Sequence, residues 1–163
     1  MTAIEQMQRL LLQMQVDRLN ADYAAALDEK RFEEWPEFFV EDCLYKITSV
    51  ENHRRGYAAG VVYADSKAML RDRVTALRRA NIYERQRYRH IIGLPLVIAN
   101  GAGGIAAETP FLVVRIMRDG RSDLFTTGVY LDTLREEASR LRFVERIAVC
   151  DSAHFDTLLA IPL

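Results

Sequence analysis

The sequence predicts an α+β domain, with helices at the start of the chain packed on one strongly curved antiparallel sheet. Three observations carry this: a long helical periodicity at the beginning, a short aromatic cluster after it, and four strand-like segments in succession in the second half. At 163 residues the chain has the length of one domain with one substantial core, so residues 1–163 read as a single unit.

Thr2 and Glu5 fit the capping box T-x-x-E, which satisfies free N–H groups where a helix begins. Ile4, Met7, Leu11 and Met14 then recur at helical spacing, with Leu12, Val16, Leu19, Tyr23 and Leu27 on an adjoining stripe. One helix is therefore expected from about residue 3 to about residue 28. Phe32, Trp35, Phe38 and Phe39 make a short aromatic helix, with Pro36 near its first turn, where a missing N–H does no harm. Cys43–Val50 reads as a strand and 56–63 as a loop or short strand. Ser66 can cap a helix whose buried stripe is Leu70, Val74 and Leu77.

The second half changes period. Arg87–Ala99, Glu108–Met117, Asp123–Asp132 and Leu141–Cys150 read as four strands. The last alternates most cleanly, with Leu141, Phe143, Ile147 and Val149 on one face and Arg142 and Arg146 on the other. Asp119-Gly120, the glycines at 101, 103 and 104, and 135–139 mark the turns, so the strands should form an antiparallel meander. A bent sheet wrapping a long helix gives a cone.

Composition excludes several classes. Lysine plus arginine (22) nearly balances aspartate plus glutamate (23), so no global field favours nucleic acid or an anionic membrane. No apolar run reaches the ~18 residues a membrane span needs, and Met7–Val16 is interrupted by glutamines, unlike a signal peptide. Two cysteines, Cys43 and Cys150, make no disulfide framework; buried thiols in the cytoplasm are expected.

The chemistry on offer is sparse. A Rieske centre needs two cysteines and two histidines, and neither cysteine has a histidine at C-x-H or C-x-x-H spacing. His90, His154 and Asp151 are the only candidates for a two-histidine, one-carboxylate iron site, without supporting spacing. Gly101–Gly104 lacks the ending of a phosphate loop. Acid–base work has more footing: Tyr45, Asp65 and His90 could converge in a cone's pocket, as a stand-alone dehydratase or isomerase or as a ligand-binding module. The structural counterpart is a core tyrosine, a helix-capping aspartate and a hydrogen-bonded histidine.

Two features point outward. Arg85, Arg87 and Arg89 alternate onto one strand face, with Tyr88 and His90 on the other, and suit either a solvated face or carboxylates on a partner protein; Arg146 has the same character. The last residues, Leu158, Leu159, Ile161, Pro162 and Leu163, carry no charge, and should pack on this chain's own sheet or on another subunit.

In this order and spacing, several segments resemble the small (β) subunits of aromatic-ring-hydroxylating dioxygenases. They are Glu34-Trp35-Pro36-Glu37-Phe38-Phe39 with Asp42 and Tyr45, Tyr63-Ala64-Asp65-Ser66, Arg87-Tyr88-Arg89-His90, and the ending Asp151, Asp156-Thr157-Leu158-Leu159, Ile161-Pro162-Leu163. Asn52-His53 and Ala80–Glu84 are most similar to the branch acting on aromatic carboxylates of the terephthalate, benzoate or anthranilate type. The resemblance implies a nuclear-transport-factor-2-like (cystatin-like) cone without a catalytic, cofactor-binding or metal site of its own. It also implies an α3β3 hexamer in which small subunits associate as a trimer. The Rieske 2Fe-2S cluster and mononuclear Fe(II) would lie on the large subunit, with NADH acting through a separate reductase. It moves the expected place of Asp156 and the apolar ending to a subunit interface.

Overall fold

A computed structural model describes residues 2–80, 85–99, 104–155, 159 and 161–163. Helix α1 spans Ala3–Asp28 and begins at the expected box. The Thr2 amide donates to the Glu5 carboxylate at 2.7 Å, and the Glu5 amide donates to Thr2 Oγ1 at 3.2 Å. Its two apolar stripes part company. Val16, Leu19, Tyr23 and Leu27 are buried, whereas Ile4 (72% exposed), Met7 (57%), Leu11 (53%) and Met14 (58%) face outward. The helix packs only from Leu12 onward, and its first turns project past the body.

A 3₁₀ helix over Phe32–Phe38 leads into strand β1 (Phe39–Ser49). Helix α2 (Val50–Arg54), strand β2 (Val62–Ala64) and helix α3 (Lys67–Ala80) follow. The second half supplies β3 (Gln86–Ile92), β4 (Leu96–Ala99), β5 (Ile105–Met117), β6 (Ser122–Glu137) and β7 (Arg140–Cys150). The strand order is β2-β1-β7-β6-β5-β3, with β4 also on β5. The expected turn at Asp119-Gly120 forms, with Gly120 at φ +86°, and Ala138-Ser139 close the last hairpin.

Three expectations need correction. Arg87–Ala99 is two strands, because Gly93 and Pro95 break it; the Gly93 amide donates to the Pro110 carbonyl, and a Cβ there would lie 2.6 Å from Pro110 Cγ. The sheet is mixed, since β1 runs parallel to β7; the chain between them is long enough for the crossover that parallel pairing needs. Third, β7 does not alternate cleanly. Glu145 pairs with Thr133 but Phe143 with Leu134, so Val144 is an extra residue, a bulge that shifts the side-chain parity. Phe143 and Arg146 therefore share the concave face.

A second bulge, at Phe125 opposite Val113 and Val114 on β5, adds twist. At Gly128 the strands come so close that a Cβ would lie 2.2 Å from the Val149 carbonyl oxygen. These devices curl the sheet around the carboxyl half of α1, giving the nuclear-transport-factor-2-like cone. Its centre is aromatic: Tyr23 meets Phe38, Phe39, Tyr130 and Phe143 edge-on, and Phe111 stacks on Tyr130 at 4.1 Å. Cys43 and Cys150 are buried free thiols, and burial pushes both up to about 11.

Candidate functional site

The cone interior is where this fold would hold a pocket, and here it is filled. Tyr45, fully buried on β1, donates to the Leu163 main-chain oxygen at 3.2 Å and accepts from the Leu163 amide at 3.0 Å. Tyr23 donates to the same oxygen at 2.7 Å and accepts from Trp35 Nε1 at 3.1 Å. Burial raises both phenols above their ordinary range, Tyr45 well above it. Leu159, Ile161, Pro162 and Leu163 are buried against this chain's own core, so of the two destinations open to the ending, these residues take the first. Asp156 and Leu158 lie outside the described residues.

Tyr45, Asp65 and His90 do not converge. Asp65 is exposed just before α3, where Ser66 Oγ accepts from the Met69 amide as the helix cap. His90 is buried and pairs with Asp28 at the end of α1, Nδ1 to Oδ1 at 2.6 Å. The same carboxylate accepts the His90 backbone amide at 3.1 Å. That amide points away from β5 on an edge strand, so Asp28 covers an edge group that would otherwise be open to pairing. His90 Nε2 is buried with no hydrogen-bond partner among the described residues.

Arg146 is corrected from partner contact to core. It is fully buried, donating to Asp132 through Nε at 2.8 Å and Nη2 at 2.7 Å, and through Nη2 to Asn20 Oδ1. Its guanidinium carbon lies 3.8, 4.1 and 4.3 Å from the centroids of Phe143, Tyr130 and Tyr23, a cation against three rings, and Nη1 has no hydrogen-bond partner among the described residues. Burial opposes its charge, but the Asp132 carboxylate outweighs this and keeps it charged. Asp28, Asp132 and Asn20 were not singled out from the sequence. The signal for Asn20 was available, a polar residue on the stripe between Val16 and Tyr23.

The outer face of β3 is as expected. Arg85, Arg87 and Arg89 are exposed while Gln86, Tyr88 and His90 are buried. Arg89 reaches Asp28 at 3.6 Å; no ion pair of Arg85 or Arg87 is formed among the described residues. A groove of about 930 Å³ runs between α1 and the β6–β7 hairpin, and one of about 420 Å³ lies between α2 and the end of β7. Neither is lined by Tyr45, Asp65 or His90.

The residues do not fit a metal cofactor. Cys43 and Cys150 are buried thiols, and His90 is buried against Asp28 while Asp151 and His154 are exposed. No group of three or more His, Cys, Asp or Glu side chains could hold an ion among the described residues. Among those residues no helix is long and apolar enough to cross a membrane.

Residues 22–157 match the model of the ring hydroxylating beta subunit family. The chain belongs to that family. It is 51% identical over 154 residues to the beta 1 subunit of the terminal oxygenase component of terephthalate 1,2-dioxygenase from Comamonas sp., covering 94% of this chain and 100% of that one. It is 39% identical over 141 residues to the anthranilate 1,2-dioxygenase small subunit of Burkholderia cepacia, covering 86% and 88%. A crystal structure assigned as the beta subunit of an aromatic-ring-hydroxylating dioxygenase from Novosphingobium aromaticivorans superposes with a TM-score of 0.87 at 36% identity, covering 95% and 99%.

Proposed function

We propose that this chain is the non-catalytic structural subunit, one domain over residues 1–163, of a cytoplasmic multicomponent oxygenase that dihydroxylates an aromatic acid. Its partner is the large subunit, with three copies of each in an α3β3 hexamer and the small subunits associated as a trimer. The Rieske cluster and mononuclear iron belong to that partner and supply O2 activation, with electrons from NADH through a separate reductase. The observation that carries this reading is the closed interior: Tyr23, Tyr45, His90, Asp132 and Arg146 each bond within the chain, and the ending fills the centre. The two relatives named for terephthalate and anthranilate support an aromatic carboxylate as the substrate class.

The large-subunit contact is assigned to the outer face of β3, where Arg85 and Arg87 stand ready for carboxylates, with Arg89 beside them. The test is co-expression with a large subunit. The chain alone should hold no stoichiometric iron and oxidise no aromatic acid, and should co-purify with its partner in an active assembly. His90→Gln in that assembly should change turnover by less than about tenfold, since general acid–base groups usually contribute 10²–10⁴. A larger loss in an intact assembly would restore the cone-pocket enzyme.

A further inference from the structure

The register of the sheet sets six side chains in one line across its outer face. Tyr63 on β2 lies opposite Lys46 on β1, followed by Ile147 on β7, Leu131 on β6, Glu108 on β5 and Leu96 on β4. Lys46 and Glu108 are three strand steps apart, about 14 Å at the ordinary strand spacing. Neither forms an ion pair among the described residues. Lys46 is only 9% exposed, and its ammonium, with three N–H groups to give, donates just to the Tyr57 carbonyl oxygen at 3.4 Å. A buried cation held this poorly favours a carboxylate beside it. Glu108 is an exposed carboxylate with nothing to hold it.

Each of these two charges stands in an apolar cluster. Tyr57, Val61 and Tyr63 surround Lys46, and Leu94, Leu96 and Ile98 lie along the edge beside Glu108; all six are at least 43% exposed. Each cluster leaves roughly 300 Å² of apolar surface in water, the size at which exposed patches mark interaction sites.

We propose that the two clusters meet head to tail between copies of this chain, Lys46 of one copy receiving Glu108 of the next, and that this contact closes the trimer of small subunits. It deepens the subunit reading above and rests on it. The curl of the sheet argues for a ring. Neighbouring strands rotate by roughly 20–25°, so over the five steps from β2 to β4 the outer face turns by about 100° or more. The bulges add to this. The two clusters therefore look in different directions, and no single neighbour covers both. A contact between two different patches carried by every copy is heterologous, the kind that closes into a ring. The charges oppose the two-fold alternatives, since either cluster docked on itself sets Lys46 against Lys46 or Glu108 against Glu108. The β3 arginines stay open for the large subunit: Arg89 lies opposite Val114 and Arg87 opposite Ile116, about 20 Å or more along β5 from Glu108.

The test uses the full chain, alone and co-expressed with a large subunit. Sedimentation equilibrium of the wild-type chain alone should show a trimer. Glu108→Lys and Leu96→Asp, both changes of exposed side chains, should each raise its dissociation constant at least about tenfold with unchanged circular dichroism. A zero-length carbodiimide cross-link should join Lys46 of one chain to Glu108 of another, in covalent products that stop at three chains; within one chain the two are too far apart to react. A wild-type monomer or dimer, an unaffected trimer in either variant, or cross-linked products lacking the 46–108 link would each overturn the proposal. So would loss of the large subunit by Glu108→Lys while its own trimer stays intact, which would give this surface to that partner. Capture of the large subunit by the wild type is the separate readout. Its failure sinks the subunit reading, whereas capture alongside an intact Glu108→Lys trimer sinks this contact alone.

Discussion

Inside the cone the buried charges Arg146 and Asp132 and the Tyr23 and Tyr45 hydroxyls are brought to partners within the chain; outside it, apolar and cationic surface is left open. Arg146 is held by Asp132, Asn20 and three rings, and the two core tyrosines converge on Leu163. On the exterior, the amino half of α1 exposes Ile4, Met7, Leu10, Leu11 and Met14, and Arg85, just before β3, and Arg87 on it face solvent. A cone built for catalysis needs the reverse, an open interior with convergent polar groups. The difference teaches where to test for this chain's contacts: on the surfaces it leaves open rather than in its interior.

Removing the interior plug should have the largest effect. Deleting Ile161–Leu163 strips two large buried aliphatic side chains, roughly 3–6 kcal/mol, and leaves the Tyr23 and Tyr45 hydroxyls without their shared acceptor. That matches much of a domain's net stability, so the shortened chain should be insoluble or lose its cooperative urea transition. A normal midpoint would show that the interior does not depend on its plug. Next comes Arg146→Ala, which strands the buried Asp132 charge and should cost about 3–5 kcal/mol. The pair Arg146→Met with Asp132→Leu should be far milder than either single change, because both charges leave together.

How far this contrast could be read in advance depended on the kind of signal. The capping box, the α1 boundaries, the cap at Ser66 and the split of β3 into an arginine face and a buried Tyr88/His90 face follow from local periodicity and side-chain chemistry, and they hold. Arg146 was misplaced because one bulge at Val144 reverses the parity of everything after it, and bulges are set by the neighbouring strands rather than by the strand's own residues. The parallel β1–β7 pairing joins segments about a hundred residues apart, beyond the reach of a pattern read along the chain. For Tyr45, Asp65 and His90, residue type suggested convergence, but Asp28, which belongs to α1, claimed the histidine. The exposed half of α1 was hidden for another reason: a helix with two apolar stripes looks merely hydrophobic until one stripe is seen to be buried.

The exterior should respond differently to loss of charge. Arg87→Ala should leave the unfolding free energy of the isolated chain, read from urea titration, within about 0.5 kcal/mol of the wild type, as for an ordinary surface change. It should nevertheless weaken capture of the large subunit by an amount typical of a truncated desolvated charge pair, about 2–5 kcal/mol. Assembly that is unchanged on sedimentation with Arg85→Ala, Arg87→Ala and Arg89→Ala, each taken singly, would remove β3 from the interface.

The smallest effect is expected where the exterior does make its own ion pair. Arg78 on α3 grips Glu33 through Nε at 2.7 Å and Nη2 at 2.8 Å, and this hydrogen bonding holds the Glu33 carboxyl down from 4.5 to about 2. A depressed carboxyl adds stability that is complete above its unfolded value and is lost as pH falls through the folded one, so the contribution should fade between about pH 4.5 and pH 2. Both side chains are well exposed, at 46% and 64%, and water and salt screen them. The pair should therefore be worth less than about 1 kcal/mol. Thermal melts of the wild type and Glu33→Gln should differ slightly at pH 7 in low salt and converge toward pH 2 or in 1 M salt. A difference as large as that of the Arg146 variants would mean that surface charge supports this fold as strongly as its interior does, and the contrast between the two regions would fail.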